Sequence, residues 1–148
     1  MGGRLTLTVH LISKGPPLPR ISLYHLDLPC VNQVEFHPHF IREDLMDYCR
    51  NKKIFFQAYS SLAGHNPDLL EHPTVIDLAT KYKITPQIVL LSWAINQGVG
   101  IIPKSLQPHR ISENLKASEV HFDEDEVQRL RDLNRNKNYV PCEGWLVV

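Results

Sequence analysis

No stretch of this chain is dense enough in lysine and arginine to form a basic block, and its sixteen basic residues are cancelled by sixteen acidic ones. A nucleic-acid-binding face needs clustered positive charge, so nucleic acid is not expected as the main partner. Cysteine is scarce. Cys30, Cys49 and Cys142 are odd in number, scattered, and form no C-x-x-C pair. That pattern argues against a disulfide framework and for reduced thiols in a cytoplasmic protein. Long apolar runs are missing too, and none approaches the ~20 residues a membrane-crossing helix requires. The apolar stretch within residues 1–20 is broken by threonines and His10 and lacks a small-residue cleavage site, so no signal peptide is expected. His37, His39 and Cys30 have no second cluster at zinc-like spacing, so no metal site is expected.

What remains suits one folded domain. The chain has 148 residues, 43% of them hydrophobic, enough for a core. Residues 1–29 are poorly specified: Leu5, Leu7, Val9 and Leu11 alternate as a strand would, and Gly15-Pro16-Pro17 then breaks any regular element. Residues 31–35 read as a short β-branched strand. Ile41, Leu45, Tyr48 and Cys49 recur at helical spacing, predicting a helix over 42–51 with Cys49 in the core. Residues 54–59 are almost continuously apolar, as expected of a strand buried on both faces. Val75, Leu78, Ala79 and Tyr82 mark a helix after Pro73.

Thr85-Pro86 caps and opens a further helix, apolar at Ile88, Val89, Leu91 and Ile95, and Gly98 ends it where a left-handed residue is wanted. Residues 99–103 form the third strand. Asp123 and Glu126 have capping-box spacing, Phe122 and Val127 supply the staple, and Val127, Leu130 and Leu133 face inward. The acidic run at 123–126 is explained by that helix start. Residues 135–148 carry Tyr139, Cys142 and Trp145 without a period and read as a loop, in which Trp145 could touch substrate or, the favoured reading, cover surface. Strand–helix alternation of this kind implies parallel strands with right-handed crossovers. Three strands alone do not close a sheet.

One stretch points to chemistry. The apolar strand Val99, Ile101, Ile102 stops at Pro103 and delivers Lys104 and Ser105 to a helix that Pro108 opens and whose first turn carries Arg110. A helix start offers unpaired N–H groups and the positive end of the dipole. With three polar or cationic side chains aimed there, phosphate is the expected guest. The same arrangement also occurs at helix starts that bind nothing, so the residue types alone leave both readings open.

The residue string is more specific. Ile102-Pro103-Lys104-Ser105, followed by Pro108, Arg110, Ile111, Glu113 and Asn114, resembles the adenosine-phosphate signature of the aldo-keto reductases, an NADPH-using family. Asn32-Gln33-Val34-Glu35-Phe36-His37-Pro38 is similar to that family's N-Q-V-E-x-H-P, and Tyr59-Ser60-Ser61-Leu62 to its Y-S-x-L. The resemblance covers residues 30–134. It implies an α/β fold, the last three parallel strands and helices of a (β/α)8 TIM barrel, with each motif at the carboxyl end of a strand. It also implies NADP(H) as cofactor. Gln33 would bond the nicotinamide carboxamide, Tyr59 would stack on the ring, and Ser60 and Leu62 would line the pyrophosphate. Lys104, Ser105 and Arg110 would hold the 2′-phosphate, and Glu113 and Asn114 would meet the adenine.

The departures bear on activity. The family's catalytic tyrosine, aspartate, lysine and histidine come from the first half of its barrel, and their segments have no match here. Leu23-Tyr24-His25 has the wrong spacing for the histidine strand and lies too close to Gln33. The Ser-Asn pair that helps grip the carboxamide is missing, and the loop over residues 63–70 is short, which would weaken any clasp over the pyrophosphate. No catalytic residue is therefore assigned. The expectation is a truncated oxidoreductase that keeps the cofactor-binding part and is inactive alone. It would act on a small carbonyl substrate if complete, or pair with a complementary half-barrel. Two further readings are a non-catalytic nucleotide-binding or interaction module with an exposed sheet edge, and a product without a function of its own.

Overall fold

The computed structural model describes residues 29–140 and the backbone of residues 9–11. Its sheet has four strands, all parallel and in sequence order: β1 (Val9–Leu11), β2 (Val31–Glu35), β3 (Phe55–Tyr59) and β4 (Gly100–Ile101). Six helices join or follow them. These are α1 (Glu43–Asn51), α2 (Pro67–Leu70), α3 (Pro73–Tyr82), α4 (Pro86–Asn96), α5 (Pro108–Leu115) and α6 (Glu124–Arg131), with short 3₁₀ turns at Ala63–His65 and Lys116–Ser118. Parallel neighbours cannot be joined by a tight hairpin, and helices cross from β2 to β3 and from β3 to β4. Leu23-Tyr24-His25, Cys142 and Trp145 lie outside the described residues.

Two expectations about strands are corrected. The sheet has a fourth strand, at the end of the alternating stretch near the N-terminus, pairing Val9, His10 and Leu11 with Val31, Asn32 and Gln33. The strand expected over 99–103 is only Gly100–Ile101, opposite Gln57 and Ala58. Ile102 is 44% exposed, and Pro103 has no N–H to extend the ladder.

The double burial expected of residues 54–59 also fails. Phe56 and Ala58 are buried, whereas Phe55 is 50% exposed and Gln57 and Tyr59 are only half-buried. Side chains alternate across a strand, and among the described residues the helices pack on the face that carries Phe56 and Ala58.

The core lies on that covered face. Val34, Phe36, Phe56 and Ala58 meet Met46 and Cys49 of α1, Val75 and Leu78 of α3, and Leu90 and Trp93 of α4. Phe36 stacks on Trp93 with ring centres 5.0 Å apart and meets Phe56 edge-on at 5.5 Å. All seven residues from Ile88 to Ala94 are buried, as in a helix packed on every side. Caps follow the expected chemistry: the Thr85 side chain accepts the Ile88 N–H, and Gly98 adopts φ +74° just beyond the helix end. Asp123 and Glu126 form the reciprocal capping box. The buried Glu126 carboxylate also accepts from Lys81 Nζ and the Tyr82 hydroxyl, both at 2.6 Å, tying α6 to α3. No described helix is long and apolar enough to cross a membrane.

Candidate functional site

A cleft of about 550 Å³ opens beyond the carboxyl ends of β3 and β4. Its walls come from three places. Leu62 and His65 follow β3; Lys104, Ser105, Leu106 and Gln107 follow β4; and Arg110, Glu113 and Asn114 project from α5, with Gln87 from the start of α4. Arg110, Glu113 and Asn114 are three and four residues apart and share one helix face. Six of the nine residues singled out in the sequence thus line one cavity.

Of the remaining three, Gln33 lies on β2, Tyr59 on β3 and Ser60 just after it. Gln33 is in register with Gln57, and Tyr59 follows two residues later, so Gln33, Gln57 and Tyr59 share the open face of the sheet. Gln33 Nε2 donates to Gln57 Oε1 at 2.6 Å. That bond uses one of the amide's two N–H groups, leaving it further hydrogen-bonding capacity for a ligand. Ser60 sits in the turn after β3, where its carbonyl accepts the Ala63 N–H at 2.7 Å.

This turn is strained. Ser60 (φ 52°), Ala63 (φ 51°) and His65 (φ 62°) all occupy the left-handed region, beside Gly64 (φ 62°). Each non-glycine residue there costs roughly 1–2 kcal/mol, and such conformations cluster at functional sites. Bonds from the His65 N–H to the Leu62 carbonyl (2.8 Å) and from the Asn66 N–H to the Ala63 carbonyl (3.1 Å) hold the turn closed. Asn66 then caps α2 through the Asp68 N–H. The short loop over 63–70 is therefore ordered by two successive turns. Gly64 and His65 were the signals its composition offered for the left-handed run, whereas Ser60 and Ala63 gave none.

The cradle differs from expectation in its source of positive potential. Pro108 has no N–H, the Gln107 N–H is bonded to Ser105 Oγ at 3.1 Å, and the Arg110 N–H bonds the Gln107 carbonyl at 3.0 Å. Few backbone donors of the first turn are left over. The Lys104 and Arg110 side chains carry most of the attraction for an anion, and the Ser105 hydroxyl also shapes the turn. Sequence reasoning missed His65, Gln87, Leu106 and Gln107. Gln87 had one usable signal, its place in the first turn of a helix whose Thr85-Pro86 start was legible.

A second polar cluster lies at the end of β2. The buried Glu35 carboxylate accepts from His37 Nε2 (3.0 Å), the Tyr139 N–H (2.7 Å) and the Val140 N–H (3.2 Å). Burial opposes its ionisation, but the bonds from His37 and the two amides outweigh that and hold its carboxyl below the usual range. His39 Nδ1 pairs with the Tyr139 hydroxyl at 2.8 Å, and the His39 carbonyl accepts the Arg135 and Lys137 N–H groups. Burial, reinforced by the positive potential of Arg135, His37 and His72, pushes His39 down to about 4. Burial likewise raises the Cys49 thiol, to which Asn32 donates. His37 and His39 are thus engaged in clipping residues 134–140 to β2.

The aldo/keto reductase family model matches residues 24–135. The chain belongs to the aldo/keto reductase family. It is similar to human aldo-keto reductase family 1 member C2, with 36% identity over 124 residues covering 78% of this chain and 38% of the human protein. The NAD(P)H-dependent D-xylose reductase of Kluyveromyces lactis is also 36% identical, over 131 residues, covering 80% of this chain and 40% of the yeast protein. Among solved structures, an aldo-keto reductase from a Medee basin deep-sea metagenome library superposes with a TM-score of 0.77 at 32% identity, covering 82% of this chain and 45% of that one. An aldo-keto reductase of the silkworm Bombyx mori gives 0.76 at 26% identity, covering 83% and 40%. The chain therefore spans about two fifths of the length of the curated relatives it matches, and its open parallel sheet with helices on one face corresponds to part of the aldo-keto reductase barrel.

Proposed function

We propose that this chain is the cofactor-binding part of an NADP(H)-dependent aldo-keto reductase. The observation that carries this reading is the convergence of Leu62, Lys104, Ser105, Arg110, Glu113 and Asn114 on one cleft at the carboxyl ends of parallel strands, where such folds keep their sites. Two cations and a hydroxyl fit a phosphate monoester, so the 2′-phosphate of NADP would lie against Lys104, Ser105 and Arg110. Glu113 and Asn114, one turn further along α5, would meet the adenine, and Leu62 and Ser60 the pyrophosphate. Gln33 and Tyr59, on the open sheet face, would hold the nicotinamide end, Tyr59 by stacking and Gln33 through its amide.

When bound, the nicotinamide supplies the hydride that reduces an aldehyde or ketone to an alcohol. The reaction also needs a proton donor beside the carbonyl. The family segments that bring one have no match in this sequence, so the chain binds nucleotide and does not turn over carbonyls unaided. A second reading, a non-catalytic module that associates with a complementary half-barrel, is favoured by the outermost strands β1 and β4, each paired on one side only among the described residues.

Titration of the purified chain with NADP⁺ and NAD⁺ tests the cofactor reading. Tighter binding of NADP⁺ supports it, and equal or no binding of both removes it. Turnover of an aromatic aldehyde with NADPH by the chain alone would overturn the assignment of inactivity.

A further inference from the structure

We infer that Gln57 is a positioning residue for the nicotinamide end: it holds the Gln33 amide in one orientation, so that the site recognises a carboxamide by its N–H. This rests on the cleft and the sheet face beside it being the nucleotide site. Strand pairing places Leu11, Gln33, Gln57 and Gly100 in one row across β1, β2, β3 and β4. Neither leucine nor glycine has a polar side-chain atom, so within that row each glutamine has only the other as a side-chain partner. They bond directly, Gln33 Nε2 donating to Gln57 Oε1 at 2.6 Å, and both are half-buried. Glu35, two residues along the same face, is an anion that would otherwise attract the Gln33 N–H. Its carboxylate is turned instead to His37 and to the Tyr139 and Val140 amides.

An amide side chain has two ends of opposite character. With its nitrogen tied to Gln57, Gln33 has its Oε1 turned away from Gln57 as an acceptor. The NH₂ of a nicotinamide carboxamide matches an acceptor so placed. A ring substituent that can only accept leaves it unpaired. Without Gln57 the Gln33 amide can turn over, since its oxygen and nitrogen ends have nearly the same shape, and offer an N–H to a carbonyl instead. No other residue of this chain is assigned to the carboxamide. The orientation of this one amide therefore decides the recognition.

The decisive probes are NADP⁺ and its 3-acetylpyridine analogue, whose methyl ketone keeps the ring charge and the carbonyl but has no N–H. In a calorimetric titration the wild-type chain should bind NADP⁺ roughly fivefold tighter than the analogue, the effect of about one neutral hydrogen bond. Gln57→Met, unbranched and of similar size, should abolish that preference. Gln57→Glu should keep it, because a carboxylate can only accept and any general effect of its charge acts on both ligands alike. Adenosine 2′,5′-bisphosphate, which has no nicotinamide, should bind the wild-type chain and both variants equally, which also shows that they are folded. Equal affinities of the wild-type chain for NADP⁺ and the analogue, an unchanged preference in Gln57→Met, or its loss in Gln57→Glu overturns the inference. Failure of the wild-type chain to bind the bisphosphate, or bisphosphate binding undiminished in Arg110→Ala, overturns the nucleotide reading itself.

Discussion

The Glu35 carboxylate accepts the backbone N–H of Tyr139 at 2.7 Å, joining positions 104 residues apart. A buried, ionised acceptor shared by two amides and an imidazole is a strong tie, because each bond is charge-assisted and leaving the group unpaired is costly. Glu35→Gln should therefore destabilise the fold by about 2 kcal/mol in a urea titration. Hydrogen exchange at the Tyr139 and Val140 amides should speed up more than exchange in α4. Equal protection of those amides in both proteins would show that the tie holds nothing in place.

The same cluster makes stability fall with acid. His39, pushed down to about 4 from an ordinary 6.5, is protonated in the unfolded chain before the folded one. Its contribution is complete above 6.5 and is lost as pH falls toward 4. Glu35 and Glu126 are held below the ordinary carboxylate value of 4.5, so their contributions are present above that value and are lost at still lower pH. The urea midpoint should drop steadily between about pH 7 and about pH 4. His39→Gln should flatten the upper half of that curve.

Two substitutions in the cradle should behave differently. Arg110→Ala should weaken NADP⁺ by about 1.5–3 kcal/mol, the range for a hydrogen bond to a charged group, and leave NAD⁺ nearly unchanged. Ser105→Ala also removes the acceptor of the Gln107 N–H, so it should lower stability by about 1 kcal/mol even without nucleotide. Calorimetry and thermal unfolding on the same preparations separate the two effects.

Gly100 is constrained by a ring. A Cβ added there would stand 2.5 Å from Cε1 and 2.7 Å from Cζ of Phe55, closer than packed atoms tolerate. Gly100→Ala should cost about 1 kcal/mol as the half-exposed ring swings away, and Phe55→Ala should recover most of that cost in a double-mutant cycle. Additive costs would place the strain elsewhere.

Much of this architecture was legible where local chemistry dictates it. Thr85-Pro86, Gly98 and the Asp123–Glu126 pair mark helix ends because caps need particular atoms at fixed spacing, and Lys104 to Asn114 marked the cleft because its residues are near neighbours in sequence. The ties between Glu35 and Tyr139, and between Lys81 and Glu126, were invisible, since side chains that meet across the fold leave no period. The exposure of Phe55 was misjudged for a related reason. An apolar run reports what a strand prefers to touch, and only the tertiary arrangement shows which neighbours it has.

Every residue of the cleft wall lies between Leu62 and Asn114. If the cleft is the nucleotide site proposed above, nucleotide preference is written into one continuous passage of the polypeptide, which recombination can move or graft whole.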